Sequence, residues 1–205
     1  MALNAFKKLQ LSERFQEYLS LSLDEAERLQ RLLNQILLYS KQQMLERSHL
    51  ELNSFIVEVL NPLKTIPAAT GKHLQLVACP EPVAILADSD KLKQVLINLI
   101  TNACEAVSAG ETVTTQIKTE NHHVCIQIHN GGAPIPVEVL PKLTQPFFTT
   151  KSHGTGLGLA IVRRIVEAHA GEFSIESSAA TGTIVQVQLP LASYNPVEPK
   201  NDSHS

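Results

Sequence analysis

Residues 146–159 read Pro146-Phe147-Phe148-Thr149-Thr150-Lys151-Ser152-His153-Gly154-Thr155-Gly156-Leu157-Gly158-Leu159, and this stretch decides how the rest of the chain is read. Three glycines at every second position run into an amphipathic segment that extends to about Ala170 and stops at Gly171, a good residue for the C′ position. The start of a helix presents N–H groups that have no intrahelical acceptor, and the macrodipole adds positive potential there. Such an opening suits an anion such as a phosphate, and Lys151 adds a charge within reach. No G-x-x-x-x-G-K-[ST] loop occurs, and the glycine spacing is not that of a dinucleotide fingerprint. By itself, Gly-x-Gly-x-Gly is often only a tight loop.

Upstream, a helix is predicted from Asp88 or Ser89 to Val107, stopped by Gly110. At about 100° per residue, Leu92, Leu96, Leu99, Ile100, Ala103 and Val107 share a face that packs on a sheet. Asn98 and Asn102 are neighbours one turn apart at the edge of that face, and Ala106, a turn further on, is expected closer to the core. Asparagine competes for backbone hydrogen bonds and is a mediocre helix former, so two of them stacked at a core edge require a reason. Thr112–Thr119 and Val124–His129 alternate with period two and read as a hairpin about Glu120–His123. Asn130-Gly131-Gly132-Ala133-Pro134-Ile135-Pro136 follows directly. Here the Asn130 amide oxygen could accept from an exocyclic amine and its nitrogen could donate to a ring nitrogen. A plain rigid turn explains the same residues.

The wider organisation is simple. A helix is expected from about Ser12 to Glu46, with Leu19, Leu23, Ala26, Leu29, Leu33 and Ile36 at heptad spacing and most charges off that seam. Nothing before it offers an intrachain partner, so a dimeric bundle is expected. Leu52–Thr65 reads as a shorter helix kinked or stopped at Pro62. Leu74–Cys79, Val83–Ala87, Phe173–Ser177 and Thr183–Leu189 read as strands, and residues 193–205 as a disordered polar tail. Helices segregated from mixed strands imply an α/β two-layer sandwich, a helical layer on one mixed sheet. The 205 residues are 43% hydrophobic and 18% charged with a net charge of −3, which argues against nucleic acid or an anionic membrane as the main partner. There is no membrane-length apolar run and no signal-peptide profile at the start. Cys79, Cys104 and Cys125 have neither zinc nor disulfide spacing and read as reduced thiols in a cytoplasmic protein.

Taken in order, Asn98-Leu-Ile-Thr-Asn102-Ala103, Asn130-x-Gly132-x-Pro134-Ile135, Pro146-Phe-Phe-Thr-Thr-Lys151, Gly154-Thr-Gly-Leu-Gly158-Leu159 and Gly182-Thr183 are far stronger than any one alone. The set resembles the ATP-binding catalytic domain of sensor histidine kinases, within the GHKL (Bergerat-type) ATPases. The Glu25–Lys41 region resembles the second helix of that family's dimerisation hairpin. The resemblance covers residues 10–191. It divides the chain into a hairpin remnant at 1–50, a catalytic domain at 51–192 and a tail at 193–205. It implies that Asn102 coordinates Mg²⁺ bridging the ATP phosphates and that Asn98 supports the metal or phosphates. Ala106, Asn130, Gly132, Pro134, Ile135 and Thr183 would line the adenine slot. Phe147 and Phe148 would anchor a short lid and Lys151 would meet the β- or γ-phosphate. Gly154, Thr155, Gly156, Leu157 and Gly158 would offer backbone N–H donors, and Glu105 is read as a solvated helix residue with no ligand role.

Three departures from the family pattern follow. Asn130 stands where the family usually has Asp, a neutral acceptor in place of a charged one, so lower affinity or looser base selectivity is expected. Pro134 replaces a second glycine. In the family a phosphoacceptor His is followed at once by Asp or Glu, and none of the eight histidines here has that neighbour. The acceptor His would come from a longer parent chain or in trans, with a response-regulator aspartate as the final acceptor. The expected activity is therefore that of a protein-histidine kinase fragment that binds ATP without phosphorylating itself. The rivals are a GHKL serine kinase of the anti-sigma type and a nucleotide-free docking or dimerisation module.

Overall fold

The computed structural model describes residues 13–40, 44–151 and 154–192. The chain divides into two units, Met1–Gln42 and Gln43–Ser205. In the first, α1 spans Glu13–Ser40, 28 residues without Gly or Pro. Leu29, Leu33 and Ile36 are exposed along it, whereas Leu23 is buried. The expected helix is longer than the observed one at its C-terminal end, because residues 44–47 are not helical. The expected N-cap, Ser12, and the tail from 193 onward lie outside the described residues.

The second unit runs β1 (Ser48–Glu51), α2 (Leu52–Leu63), β2 (His73–Val77), β3 (Ala84–Ala87), α3 (Ser89–Glu105), β4 (Thr112–Glu120), β5 (His123–Asn130), α4 (Gly158–Ala168), β6 (Glu172–Ser178) and β7 (Gly182–Pro190). Five strands form a mixed sheet in the order β2-β4-β5-β7-β6, with β2 parallel to β4 and every other pair antiparallel. Helix α3 packs on β4 and β5, α4 on β6 and β7, and the two helices on each other. Alternation sorts the sheet into two faces. Val113, Ile117, Val124, Ile126, Ile128, Val187 and Leu189 are buried, while Gln116, Gln127 and Gln186 stand in register on the opposite face. The architecture is the two-layer sandwich of helices on a mixed sheet that the sequence implies.

Helix α3 is well specified locally. The Asp88 side chain caps it by accepting from Lys91 N–H at 3.1 Å, and Asp90 lies in its first turn. Its stripe of Leu92, Val95, Leu96, Leu99, Ile100 and Ala103 is buried, and each large aliphatic there contributes about 1.5–3 kcal/mol. No basic residue lies in its last turn; instead Lys72 Nζ donates to the carbonyls of Ala68 and Cys104, so the cation at this C-terminus comes from outside the helix.

Three expectations need correction. Residues 48–51, for which the sequence reading gave no strand, form β1 and pair antiparallel with β3. Four residues, Ser-His-Leu-Glu, are too short to show a buried period. Ala106 is exposed, because it is the C-cap where α3 leaves the sheet. At the end of α4 the left-handed residue is Ala170 (φ 57°) and not Gly171. Glycine is needed at 171 for close approach, since a Cβ there would lie 2.3 Å from the Gln188 carbonyl oxygen.

Candidate functional site

The predicted residues gather around α3 in two clusters. At the C-terminal end of α3, Asn130 closes β5 directly opposite Thr183 on β7, and both are buried. Gly182 (φ 71°) permits this closure: a Cβ on it would lie 2.3 Å from the Asn130 carbonyl oxygen. The turn that follows crosses the α3 C-cap at Gly132 (φ 87°), where a Cβ would meet the Ala106 carbonyl oxygen at 2.3 Å. The same turn is tied to β6, because Ser177 Oγ accepts from Ile135 N–H at 3.0 Å and shares a 2.8 Å hydrogen bond with Thr183 Oγ1. Asn130, Gly132, Ile135, Thr183 and Ala106 thus converge through backbone close approach. Pro134 is exposed on this turn.

The amide of Asn130 has a defined orientation. Its Nδ2 donates to the Gly131 carbonyl at 2.6 Å, and a carbonyl can only accept, so the flip is fixed. That contact takes one of the two N–H donors of the amide nitrogen and leaves Oδ1 as its accepting atom.

One to two turns back along α3, about 6–12 Å from Ala106 at the helical rise, lies the second cluster. Lys151 Nζ donates to Asn102 Oδ1 at 2.8 Å and forms an ion pair with Glu105. Both charged side chains are less than half exposed. Glu105, read from sequence as merely solvated, is the counter-ion of the predicted phosphate-facing lysine. Asn98 faces the start of α4, where a Cβ on Gly158 would lie 3.7 Å from its Oδ1. Helix α4 begins at Gly158 with Leu157 as N-cap, which makes no side-chain capping hydrogen bond, so its first N–H groups have no capping side chain from that position.

Ahead of it the chain is folded back on itself. Phe147 (φ 67°) donates its N–H to the Gly156 carbonyl at 2.9 Å, and Gly156 (φ 69°) approaches the Phe147 carbonyl carbon so closely that a Cβ would lie 2.4 Å away. Phe147 is 61% exposed, so it is no core aromatic, whereas Phe148 is half-buried. Lys151 N–H donates to Thr149 Oγ1 and Gly154 N–H to the Lys151 carbonyl, which holds the lysine backbone in a local turn. Gly154, Thr155 and Gly156 are half-buried and Leu157 is buried. Sequence reasoning missed Ser177 and Glu105. Their partners lie 42 and 46 positions away, and no local pattern signals such contacts.

The arrangement offers groups that a phosphorylated nucleotide could use. They are an amide acceptor at one end, a lysine ammonium and two asparagine amides in the middle, and a helix start whose N-cap side chain makes no capping hydrogen bond. Among the described residues no group of three or more His, Cys, Asp or Glu is placed to hold a metal ion alone. A cation here would rely on amide and ligand oxygens.

Comparison with known proteins decides the family. The pattern described as histidine kinase-, DNA gyrase B-, and HSP90-like ATPase matches residues 87–193, just over half of the chain. The chain belongs to this ATPase family. Sporulation kinase A of Bacillus subtilis (strain 168) is 34% identical over 176 residues, which is 85% of this chain and 29% of that protein. The signal transduction histidine-protein kinase AtoS of Escherichia coli (strain K12) is 33% identical over 86% of this chain and 29% of its own length. This chain therefore spans less than a third of either relative. The nucleotide-free catalytic domain of histidine kinase ThkA superposes with a TM-score of 0.65 at 34% identity, covering 71% of this chain and 95% of that one. ThkA in complex with the response regulator TrrA gives 0.74 at 31% identity, covering 92% and 56%. The second unit thus has the fold of a histidine-kinase ATPase domain, with ATP as the family's nucleotide. No described helix is long and apolar enough to cross a membrane.

Proposed function

We propose that this chain binds ATP with Mg²⁺ between α3 and α4 and presents the γ-phosphate to a histidine outside the 205 residues. A response-regulator aspartate would be the onward acceptor. The observation that carries this reading is the meeting of Asn102 Oδ1 and Lys151 Nζ beside the start of α4. An ammonium already rests against Asn102 Oδ1, so that oxygen faces a position where a cation is accepted, and the residues fit a hard divalent ion sharing ligand oxygens. When bound, Mg²⁺ would neutralise phosphate charge; Asn102 would hold it and Asn98 would support it.

The chain's own residues supply positioning, which is most of what phosphoryl transfer needs. Lys151 would sit on the β- or γ-phosphate and the N–H groups of Gly154–Gly158 would cradle the chain of phosphates. The base would lie on the turn at Gly132–Ile135 with its exocyclic amine on Asn130 Oδ1. The locked Asn130 amide offers oxygen, so it favours an amino group over a carbonyl at that position and supports adenine over guanine. The exposed apolar stripe of α1 supports homodimerisation, and the ThkA complex with TrrA supports a response-regulator partner.

Displacement of a fluorescent ADP analogue from the chain tests this, with Mg²⁺ present throughout. ATP should displace it at a concentration at least about tenfold below GTP, the size of one well-placed base contact. Equal displacement by the two would overturn the adenine reading. Incubated with γ-labelled MgATP, the chain alone should take up no stoichiometric acid-labile label, and such a label would contradict the assignment of the acceptor to another segment or chain.

A further inference from the structure

Among the described residues, Glu105 is the carboxylate in direct contact with this cluster, and an anionic side chain is an odd neighbour for a site proposed to bind a polyanion. Its partner is Lys151, the cation that the proposed function assigns to the phosphates, and the same Nζ touches Asn102 Oδ1. The two side chains are 43% and 45% exposed, so water screens the pair without abolishing its field. Their contact cancels most of the charge that Lys151 would otherwise show to an approaching ligand. Asn98 and Asn102 are neutral, so the side chains lining this stretch of α3 carry little net positive charge to attract a bare polyphosphate.

We propose that Glu105 is a specificity-determining residue that makes the site select the metal-bound nucleotide over the metal-free one. This rests on the nucleotide reading above and assigns a new role within it. ATP without a metal carries about four negative charges at neutral pH, and its Mg²⁺ complex carries about two. The carboxylate repels the first more strongly than the second, and its charge favours a divalent cation held on the adjacent Asn102 oxygen. Two extra unit charges a few ångströms from a carboxylate in screened surroundings change an equilibrium by about three- to tenfold. Lys151 alone, without Glu105, would favour whichever species is more negative. The carboxylate offsets that preference, and the amide oxygen of Asn102 is left to favour the species that carries the cation.

The test is equilibrium titration of the whole chain with ATP in excess Mg²⁺ and again in EDTA, for the parent and for Glu105→Gln. Glutamine keeps the size and a hydrogen-bonding oxygen for Lys151 while removing the charge. In the parent, MgATP should bind more tightly than metal-free ATP. In Glu105→Gln, metal-free ATP should gain more than MgATP, so that the ratio of the two affinities narrows by about three- to tenfold. Glu105→Ala should narrow it as much, and added salt should shrink the difference between parent and variant. A ratio unchanged or widened in both variants, with the parent binding MgATP normally, would overturn the role of Glu105 and leave the nucleotide site standing. A parent chain that binds neither form would instead remove the nucleotide reading on which the inference rests.

Discussion

The hydroxyl of Thr115, at the middle of β4, is 1% exposed and its Oγ1 has no hydrogen-bond partner. A buried hydroxyl left unpaired costs about 1–3 kcal/mol, and valine has nearly its shape. Thr115→Val should raise the unfolding free energy by about 1 kcal/mol in a urea titration; a fall would mean that the hydroxyl is satisfied. Gly132 is the opposite case. Its φ of 87° and its contact with the Ala106 carbonyl leave no room for a Cβ, so Gly132→Ala should cost about 2 kcal/mol or more and should weaken nucleotide binding with it. A variant as stable and as tight-binding as the parent would refute the close approach. Asn98, Asn102, Lys151, Asn130 and Gly132 stood out in the sequence through the order of five motifs and the family they resemble, since spacing alone fits surface amides and a plain turn equally well. Glu105 and Ser177 were not, because each acts through a contact with a residue more than forty positions distant.

At the scale of elements, the end of α4 is fastened to the start of α3 through a buried histidine. His169 sets its Nδ1 against the Ile165 carbonyl at 2.8 Å and accepts from Asp88 N–H on Nε2 at 3.0 Å, which fixes the neutral tautomer with the proton on Nδ1. Asp88 in turn accepts from Glu46 N–H and Lys91 N–H, and Arg47 donates to the Ala168 carbonyl. Burial, first of all, pushes the His169 pKa down; the Ile165 contact and the Asp88 charge oppose this, and the Arg47 charge adds to it. Burial works against ionised Asp88, but the N–H groups of Lys91 and Glu46 prevail and hold its carboxyl below its usual range.

Both shifts have the same sign for stability. Between the depressed folded value of His169 and the ordinary value of about 6.5, the unfolded chain binds a proton that the folded chain does not, so stability falls as pH drops below about 6.5. Asp88 adds a further loss at lower pH, as it is protonated through its depressed folded value. His169→Gln should flatten the stability profile between about pH 5 and 7, measured as urea midpoints. An unchanged slope would show that His169 does not carry it. Sequence pattern located α3 and α4 well because their apolar faces recur every three to four residues. It gave no sign of β1, which is four residues long, nor of Ala170 taking the left-handed position ahead of a glycine reserved for packing.

The molecule as a whole consists of a histidine-kinase ATPase unit and a separate helix. On α1, Leu29 and Leu33 are each more than half exposed and Ile36 more than a third, a stripe that a second helix would cover. Leu29→Glu with Leu33→Glu should convert a dimer into a monomer in light scattering while leaving the ATPase unit folded; a parent that is monomeric at high concentration would contradict the dimer. The order of five short motifs, with helices segregated from mixed strands, made the fold class legible at this scale.

The proposed hold of α3 on MgATP through Asn102 is read by calorimetric titration of a non-hydrolysable MgATP analogue into the parent and into Asn102→Ala. Saturable binding in the parent that is lost in a folded variant is the predicted result. Equal binding by both, or none by the parent, would contradict it.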